Sequence, residues 1–293
     1  MILIRKAYRG CRCAYPKSQT EEIRWDVVDC NLKCQFCWSP ASRPRETNEP
    51  SIVLNGNDIY QETRHAVQNP SRTFVRFTGG EPTLYWDEIE RSCRLLAQDA
   101  ALGGVPILVQ TNGLRIGEGA ASIEWLGASA SQLFLFELSM KGTNREEFSL
   151  LTGQPPDLYE HQLSAYERIK RLAEQSTNVA VVAVLGIYHS AVNKPARYAF
   201  VDPDSRTLLF ERVDEWDPRF KAIWQSTGFK WVEALHLSPL GMWRKVWERC
   251  GPTGSGILSE FPTGAPTNRL GAFPRKPQSH EYARRIVEKE FWP

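Results

Sequence analysis

Short apolar or alternating runs recur along this chain, and stretches of helical period separate most of them. Arg24 to Asp29 (RWDVVD) has the alternation of a short strand and delivers Cys30 at its C-terminal end. A loop containing Pro and Arg follows through Pro50. Asp58 to Gln68 has helical spacing, and Asn69-Pro70 closes it before a second strand, Thr73 to Phe77, which runs into Gly79-Gly80-Glu81-Pro82. Ile89, Cys93, Leu96 and Ala100 place a helix over about Leu84 to Ala101, ended by Gly103-Gly104. A third strand, Pro106 to Gln110, leads into Thr111-Asn112-Gly113; a short helix around Ile123 to Leu126 precedes a fourth strand, Gln132 to Ser139. A helix from about Leu158 to Gln175 comes next. The continuous apolar run Asn178 to Ile187 then fits a parallel strand covered on both faces. Lys230 to Leu237 is the sixth strand, and the acidic-aromatic segment Leu208 to Trp224 before it receives no element.

Six β-then-α repeats predict an α/β fold, a partial (β/α)6 barrel of the TIM type with parallel strands. Functional residues are then expected on the loops after the strands' C-terminal ends. On this reading residues 1–23 form an N-terminal extension and residues 24–238 the barrel. Residues 239–293, irregular and rich in Gly, Pro and Trp, form a C-terminal extension that caps the barrel or holds substrate. Short helices are expected there near Met242 to Arg249 and His280 to Glu290.

At 293 residues, 42% hydrophobic and 24% charged, the chain has the make-up of a folded domain able to bury a sizeable core. A net charge of +2 gives no bulk reason to expect nucleic acid or an anionic membrane as partner. The late tryptophans, from Trp216 to Trp292, are interleaved with Arg and Lys and read as core and snorkelling surface rather than as a base-stacking groove. Ile2-Leu3-Ile4 is too short for a signal segment and no run reaches membrane-spanning length, so the expected location is the cytoplasm.

Seven cysteines are an odd number, and three of them fall within eight residues, which suits a reduced compartment and a metal site. Cys30, Cys34 and Cys37 offer three thiolates on one loop, enough for three irons of a 4Fe-4S cube, leaving the fourth iron open to a substrate or cofactor. A zinc site needs a fourth ligand, for which only distant residues such as Cys93, Cys250 or a histidine are on offer. Buried structural thiols would not need this spacing. Cys11 and Cys13 form a separate Cys-x-Cys pair with no assigned role.

The CxxxCxxC spacing, with Phe36 before the last cysteine, resembles the signature of the radical S-adenosylmethionine (radical SAM) superfamily, and the resemblance covers roughly Arg24 to Leu237. It implies a 4Fe-4S cluster on Cys30, Cys34 and Cys37 and SAM chelated at the open iron. Reductive cleavage then gives methionine and a 5'-deoxyadenosyl radical that abstracts hydrogen from substrate, with the electron coming from a donor such as flavodoxin or ferredoxin. Gly79, Gly80, Glu81 and Pro82 resemble the segment that meets the SAM amino group, where glycine allows close backbone approach and a carboxylate or carbonyl can accept from an ammonium. A plain strand-ending turn would use the same residues.

By the same resemblance Phe36 neighbours the adenine, Asn112 lines the site, Ser139 and Lys141 lie near the SAM carboxylate and ribose, and Leu185, with Val184 and Ile187, packs near adenine. His236 is a candidate for the substrate cavity. Each has a plainer reading: Asn112-Gly113 as a turn, Lys141 as an exposed loop lysine, Leu185 as core. The passage Lys141-Gly142-Thr143, Glu147-Phe148 and Thr152-Gly153 is similar to activases that install a glycyl radical in a partner protein, while many small-molecule enzymes share the core. The substrate is therefore open between a small organic molecule and a protein. The alternative from another class is a non-catalytic iron-sulfur sensor or electron carrier, which has no use for the Gly-Gly-Glu-Pro loop.

Overall fold

In the computed structural model the described residues are 2–11, 21–34, 52–67, 73–129, 132–188, 199–200, 213–227 and 229–235. All six expected strands are present: β2 (Glu21–Val27), β4 (Thr73–Gly79), β5 (Ile107–Thr111), β6 (Phe134–Lys141), β7 (Val179–Tyr188) and β9 (Phe229–Leu235). They pair in parallel, and their order across the sheet is their order in the chain. A doubly wound sheet reverses that order at a switch point. This sheet keeps one direction throughout, the winding of a TIM-type barrel that stays open.

Among the described residues, three strands were not anticipated. β1 (Ile2–Cys11) lies antiparallel to β2, β3 (Ile52–Leu54) is antiparallel to β1, and β8 (Ala199–Phe200) is antiparallel to β9. They flank the parallel core on both sides. Their pairing comes from a neighbour's edge, whereas a three-residue apolar run or a two-residue bridge carries no periodicity of its own.

The helices are α1 (Gly56–Ala66), α2 (Trp86–Gln98), α3 (Leu114–Gly117), α4 (Arg145–Thr152), α5 (Tyr159–Gln175) and α6 (Pro218–Thr227). The expected short helix after Ala121 is a 3-10 turn, Glu124–Ala128. α6 lies in the segment that the periodicity left unassigned. α1 begins with a capping box: the Asn55 side chain accepts the Asn57 and Asp58 N–H groups, and Asp58 accepts the Asn55 N–H. At α4, the Asn144 side chain accepts the Glu147 N–H, and Gly153 with φ +65° ends the helix. Among the described residues no helix is long and apolar enough to cross a membrane.

The strands present two different faces. On one, Ile23, Trp25, Val27, Val75, Phe77, Ile107, Val109, Phe134, Phe136 and Leu138 are buried in a cluster with Ile59 of α1, Ile89 and Leu96 of α2, and Leu163 and Ile169 of α5. On the other, Arg24, Asp26, Arg76, Thr78, Gln110 and Glu137 alternate with them. The helix-covered face supplies the hydrophobic core, and the opposite face carries charge.

Candidate functional site

The two motifs singled out in the sequence meet at the C-terminal ends of β2 and β4. The Gly80 N–H donates to the Val27 carbonyl at 2.8 Å, and the Glu81 N–H donates to the Asp29 carbonyl at 2.7 Å, so the Gly-Gly-Glu segment runs against the backbone that carries Cys30. A methyl group on Gly80 would stand 1.9 Å from the Asp29 carbonyl oxygen, which no side chain tolerates. Gly79, at φ +94°, would bring a Cβ to 2.8 Å from the Val27 carbonyl oxygen. The two glycines are therefore a condition of this approach. Asp29 itself has φ +81°, and its carboxylate accepts the Cys30 N–H at 2.9 Å. A short polar side chain of this kind is among the few that settle there.

Glu81 is only 1% exposed. Its Oε1 accepts from the Thr83 N–H, the Thr83 hydroxyl and the Thr111 hydroxyl, and its Oε2 accepts from the Asn112 N–H at 2.7 Å. Burial holds this carboxyl above the ordinary carboxylate range, although the Asn112, Thr111 and Thr83 donors pull the other way. Sequence reading offers Glu81 as a carboxylate or a carbonyl acceptor for an ammonium. The structure commits the carboxylate to joining the end of β4 to the end of β5 and to capping the 3-10 turn Pro82–Tyr85, of which Pro82 is the buried first residue.

Asn112 is buried at the head of α3, and both ends of its amide are engaged. Oδ1 accepts the Leu114 N–H at 3.0 Å; Nδ2 donates to the Asn31 Oδ1 at 2.7 Å and stands 3.9 Å from the Cys30 Sγ. The turn that Asn112-Gly113 signals is present, with Gly113 at φ +81° and the Leu114 N–H closing onto Asn112. At the end of β6 the Lys141 ammonium donates to the Ser139 hydroxyl at 2.7 Å. Leu185 lies on β7, paired with Met140 of β6 and Val232 of β9.

Periodicity missed Gln162, which reads as one more polar residue on α5. It is fully buried, its Nε2 donates to the Asn112 carbonyl at 2.7 Å and the Ser139 carbonyl at 3.2 Å, and its Oε1 accepts the Lys141 N–H. One amide thereby ties the ends of β5 and β6. In the passage after β6, the Glu147 carboxylate accepts from the Thr143 N–H and hydroxyl, and a Cβ on Gly142 would stand 2.7 Å from the Phe148 nitrogen.

One pleat below the rim lies a polar layer that the strand pattern alone did not reveal. Asp26 pairs with Thr78 and Gln110 with Glu137 across adjacent strands. Thr78 Oγ1 and Arg76 Nε both donate to Gln110 Oε1, Gln110 Nε2 donates to Glu137 Oε1, and Arg24 bridges to Asp26 at 3.0 Å. Asp26, Thr78 and Glu137 are buried. Closed TIM barrels fill this position with branched apolar side chains.

Cys34 is buried and Cys30 half-buried; Phe36, Cys37, Cys13, His236 and Cys250 lie outside the described residues. Among the described residues no three metal-ligating side chains come together. The environment of Cys30 nonetheless suits a metal-bound sulfur, because the Leu32 N–H donates to its Sγ at 3.4 Å and the Asn112 amide approaches the same atom. Cys93 differs in kind. It is 1% exposed inside α2, where burial pushes its thiol up to about 12.

The chain is 25% identical over 229 residues to 7,8-dihydro-6-hydroxymethylpterin dimethyltransferase of Methanocaldococcus jannaschii, over 72% of this chain and 42% of that protein. It thus spans under half the length of that relative. Among solved structures it is similar to SuiB of Streptococcus suis bound to S-adenosylmethionine, at 17% identity and a TM-score of 0.36 over 64% of this chain and 36% of that one. It is likewise similar to TYW1 with a lysine-pyruvate adduct bound, at 14% identity and a TM-score of 0.38 over 58% of each chain. The family model of the Radical SAM superfamily matches residues 27–190, more than half of the chain and every strand end from β2 to β7, and the chain belongs to that superfamily.

Proposed function

We propose that this chain is a radical SAM enzyme that holds its cluster on Cys30, Cys34 and Cys37 and acts on a small polar molecule in the open barrel. The cofactors of the superfamily are a 4Fe-4S cluster and S-adenosylmethionine. Bound together and reduced, they supply a carbon-centred radical able to take a hydrogen atom from a substrate. The observation that carries the reading is the pair of hydrogen bonds from Gly80 and Glu81 to Val27 and Asp29, which sets the Gly-Gly-Glu-Pro segment beside the cysteine loop. With the Glu81 carboxylate already engaged, a ligand ammonium would be met by backbone carbonyls of this segment. Ser139 and Lys141 would supply a hydroxyl and a cation for a carboxylate or ribose at the end of β6.

The polar layer of Asp26, Thr78, Gln110 and Glu137 supports a substrate with hydrogen-bonding groups, because it makes the face away from the helices polar and charged where a closed barrel is apolar. The relative from Methanocaldococcus jannaschii is named for a dihydropterin, a polar heterocycle of this kind. Glycyl-radical activation of a partner protein is the second reading, and the sequence likeness of Lys141 to Gly153 favours it. Against it, the Glu147 carboxylate, in the first turn of α4, is already taken up by the Thr143 N–H and hydroxyl. An oxidoreductase-type reaction fed by a flavodoxin or ferredoxin completes the proposal.

The deciding experiment is anaerobic reconstitution with iron and sulfide, followed by dithionite and SAM. The expected product is 5'-deoxyadenosine, formed slowly without substrate. A cluster-loaded protein that releases none would leave the electron-carrier alternative standing.

A further inference from the structure

The ends of three strands converge on Cys30 through a single chain of hydrogen bonds. Glu81, after β4, accepts the backbone N–H of Asn112; Asn112, after β5, turns its amide onto Asn31 and Cys30 in the loop after β2. A primary amide has two hydrogens and one oxygen to place. Here Oδ1 takes the Leu114 N–H, one hydrogen goes to Asn31, and the second lies on the side of the Cys30 sulfur, 3.9 Å from Nδ2. Gly113, at φ +81° and packed against Leu138 and Ala165, fixes the backbone from which this amide projects, while Gln162 holds the Asn112 carbonyl. This buried asparagine is thus engaged at every polar atom of its amide, with one donor facing a thiol.

We propose that Asn112 is a positioning residue for the cluster, acting as a hydrogen-bond donor to the Cys30 sulfur together with the Leu32 N–H. This rests on the reading of Cys30 as a cluster ligand. The role differs from the one its sequence suggests, which is to line the SAM pocket. A reduced cluster carries one more negative charge than an oxidised one, and part of that charge sits on the ligand sulfurs. A fixed donor therefore stabilises the reduced form more and raises the reduction potential. Removing the donor makes the cluster harder to reduce, whether or not SAM is present.

The test is a redox titration of the reconstituted holoprotein followed by electron paramagnetic resonance, without SAM, alongside iron content and SAM affinity. The variants are Asn112→Ala, Asn112→Asp and, as a buried control outside the site, Cys93→Ala. Asn112→Asp keeps an acceptor for the Leu114 N–H and the backbone bond to Glu81, so it remains informative if Asn112→Ala does not fold. The expected result is a potential more negative than wild type in Asn112→Ala, with its iron content retained. Asn112→Asp, which turns a carboxylate onto the sulfur, should shift it further in the same direction or lose iron. Cys93→Ala should not move the potential. An unchanged SAM-free potential in the Asn112 variants, with or without weaker SAM binding, overturns the assignment, as does an equal shift in Cys93→Ala. Wild-type protein that takes up no cluster would instead overturn the function proposed above, and this inference with it.

Discussion

A residue that the sequence marks for chemistry can also hold the architecture together. Glu81 belongs to the architecture: two backbone N–H groups and two hydroxyls from Thr83, Thr111 and Asn112 surround a side chain with almost no exposure. Glu81→Gln tests this at constant shape. One oxygen becomes an NH2 group, so a donor must face a donor, either the Asn112 N–H or the Thr83 and Thr111 groups. A buried polar group left unpaired costs about 1–3 kcal/mol. Urea unfolding should show a lower midpoint with an unchanged slope, and an unchanged midpoint would contradict the assignment. The carboxylate's commitment was not legible beforehand, because Gly-Gly-Glu-Pro looks the same whether its glutamate faces a ligand or the neighbouring strand. The need for Gly79 and Gly80 was legible. Their reason, an Asp29 carbonyl where a Cβ would sit, required the fold.

At the scale of elements, the helices are tied to the strand ends by polar side chains that no periodicity distinguishes. Arg168 of α5 reaches both the Ile116 carbonyl of α3 and the Glu124 carboxylate of the following 3-10 turn. Burial alone would raise Glu124, but the Arg168 guanidinium and the Ser122 hydroxyl outweigh it and bring it down to about 2 from an ordinary 4.5. Because the folded value is the lower one, the stabilisation is present above pH 4.5 and is lost as pH falls through about 2. Wild type should therefore unfold at a higher urea concentration than Glu124→Gln near pH 6, with the gap closing between pH 4.5 and pH 2. A gap that does not change with pH would mean that the pair contributes nothing through charge. Salt should narrow the gap too, since the carboxylate is partly exposed. Strands with their own apolar period were read correctly. β1, β3 and β8 were missed because a neighbour's edge makes them, and α6 because its short apolar face sits in a segment of mixed acidic and aromatic character.

On the scale of the whole molecule, the parallel sheet separates two tasks by its two faces: one binds helices through apolar side chains, and the other keeps Arg24, Asp26, Arg76, Thr78, Gln110 and Glu137. The same division sorts the cysteines. Cys30 and Cys34 lie on the loop at the strand ends, whereas Cys93 is buried in the helical layer with its thiol pushed up to about 12. Cys34→Ala should abolish the visible absorbance of the reconstituted cluster, and Cys93→Ala should keep it while lowering stability through lost packing. Equal loss of absorbance in both would mean that the ligand set is misassigned.

The sequence by itself determined the number and order of the parallel strands and the position of both motifs at strand ends, and the family resemblance that those motifs carry implied the class of cofactor. Each of these follows from local information: the period of apolar residues, the spacing of thiols on one loop, glycines where backbones must approach. Only the tertiary structure decided that Glu81 is a brace, that Gln162 joins β5 to β6, that Asn112 reaches Cys30, and that a charged layer lines the face away from the helices. These are pairings between residues 21 to 82 positions apart. Their partners are chosen by which strands come to lie side by side, and no local pattern encodes that choice.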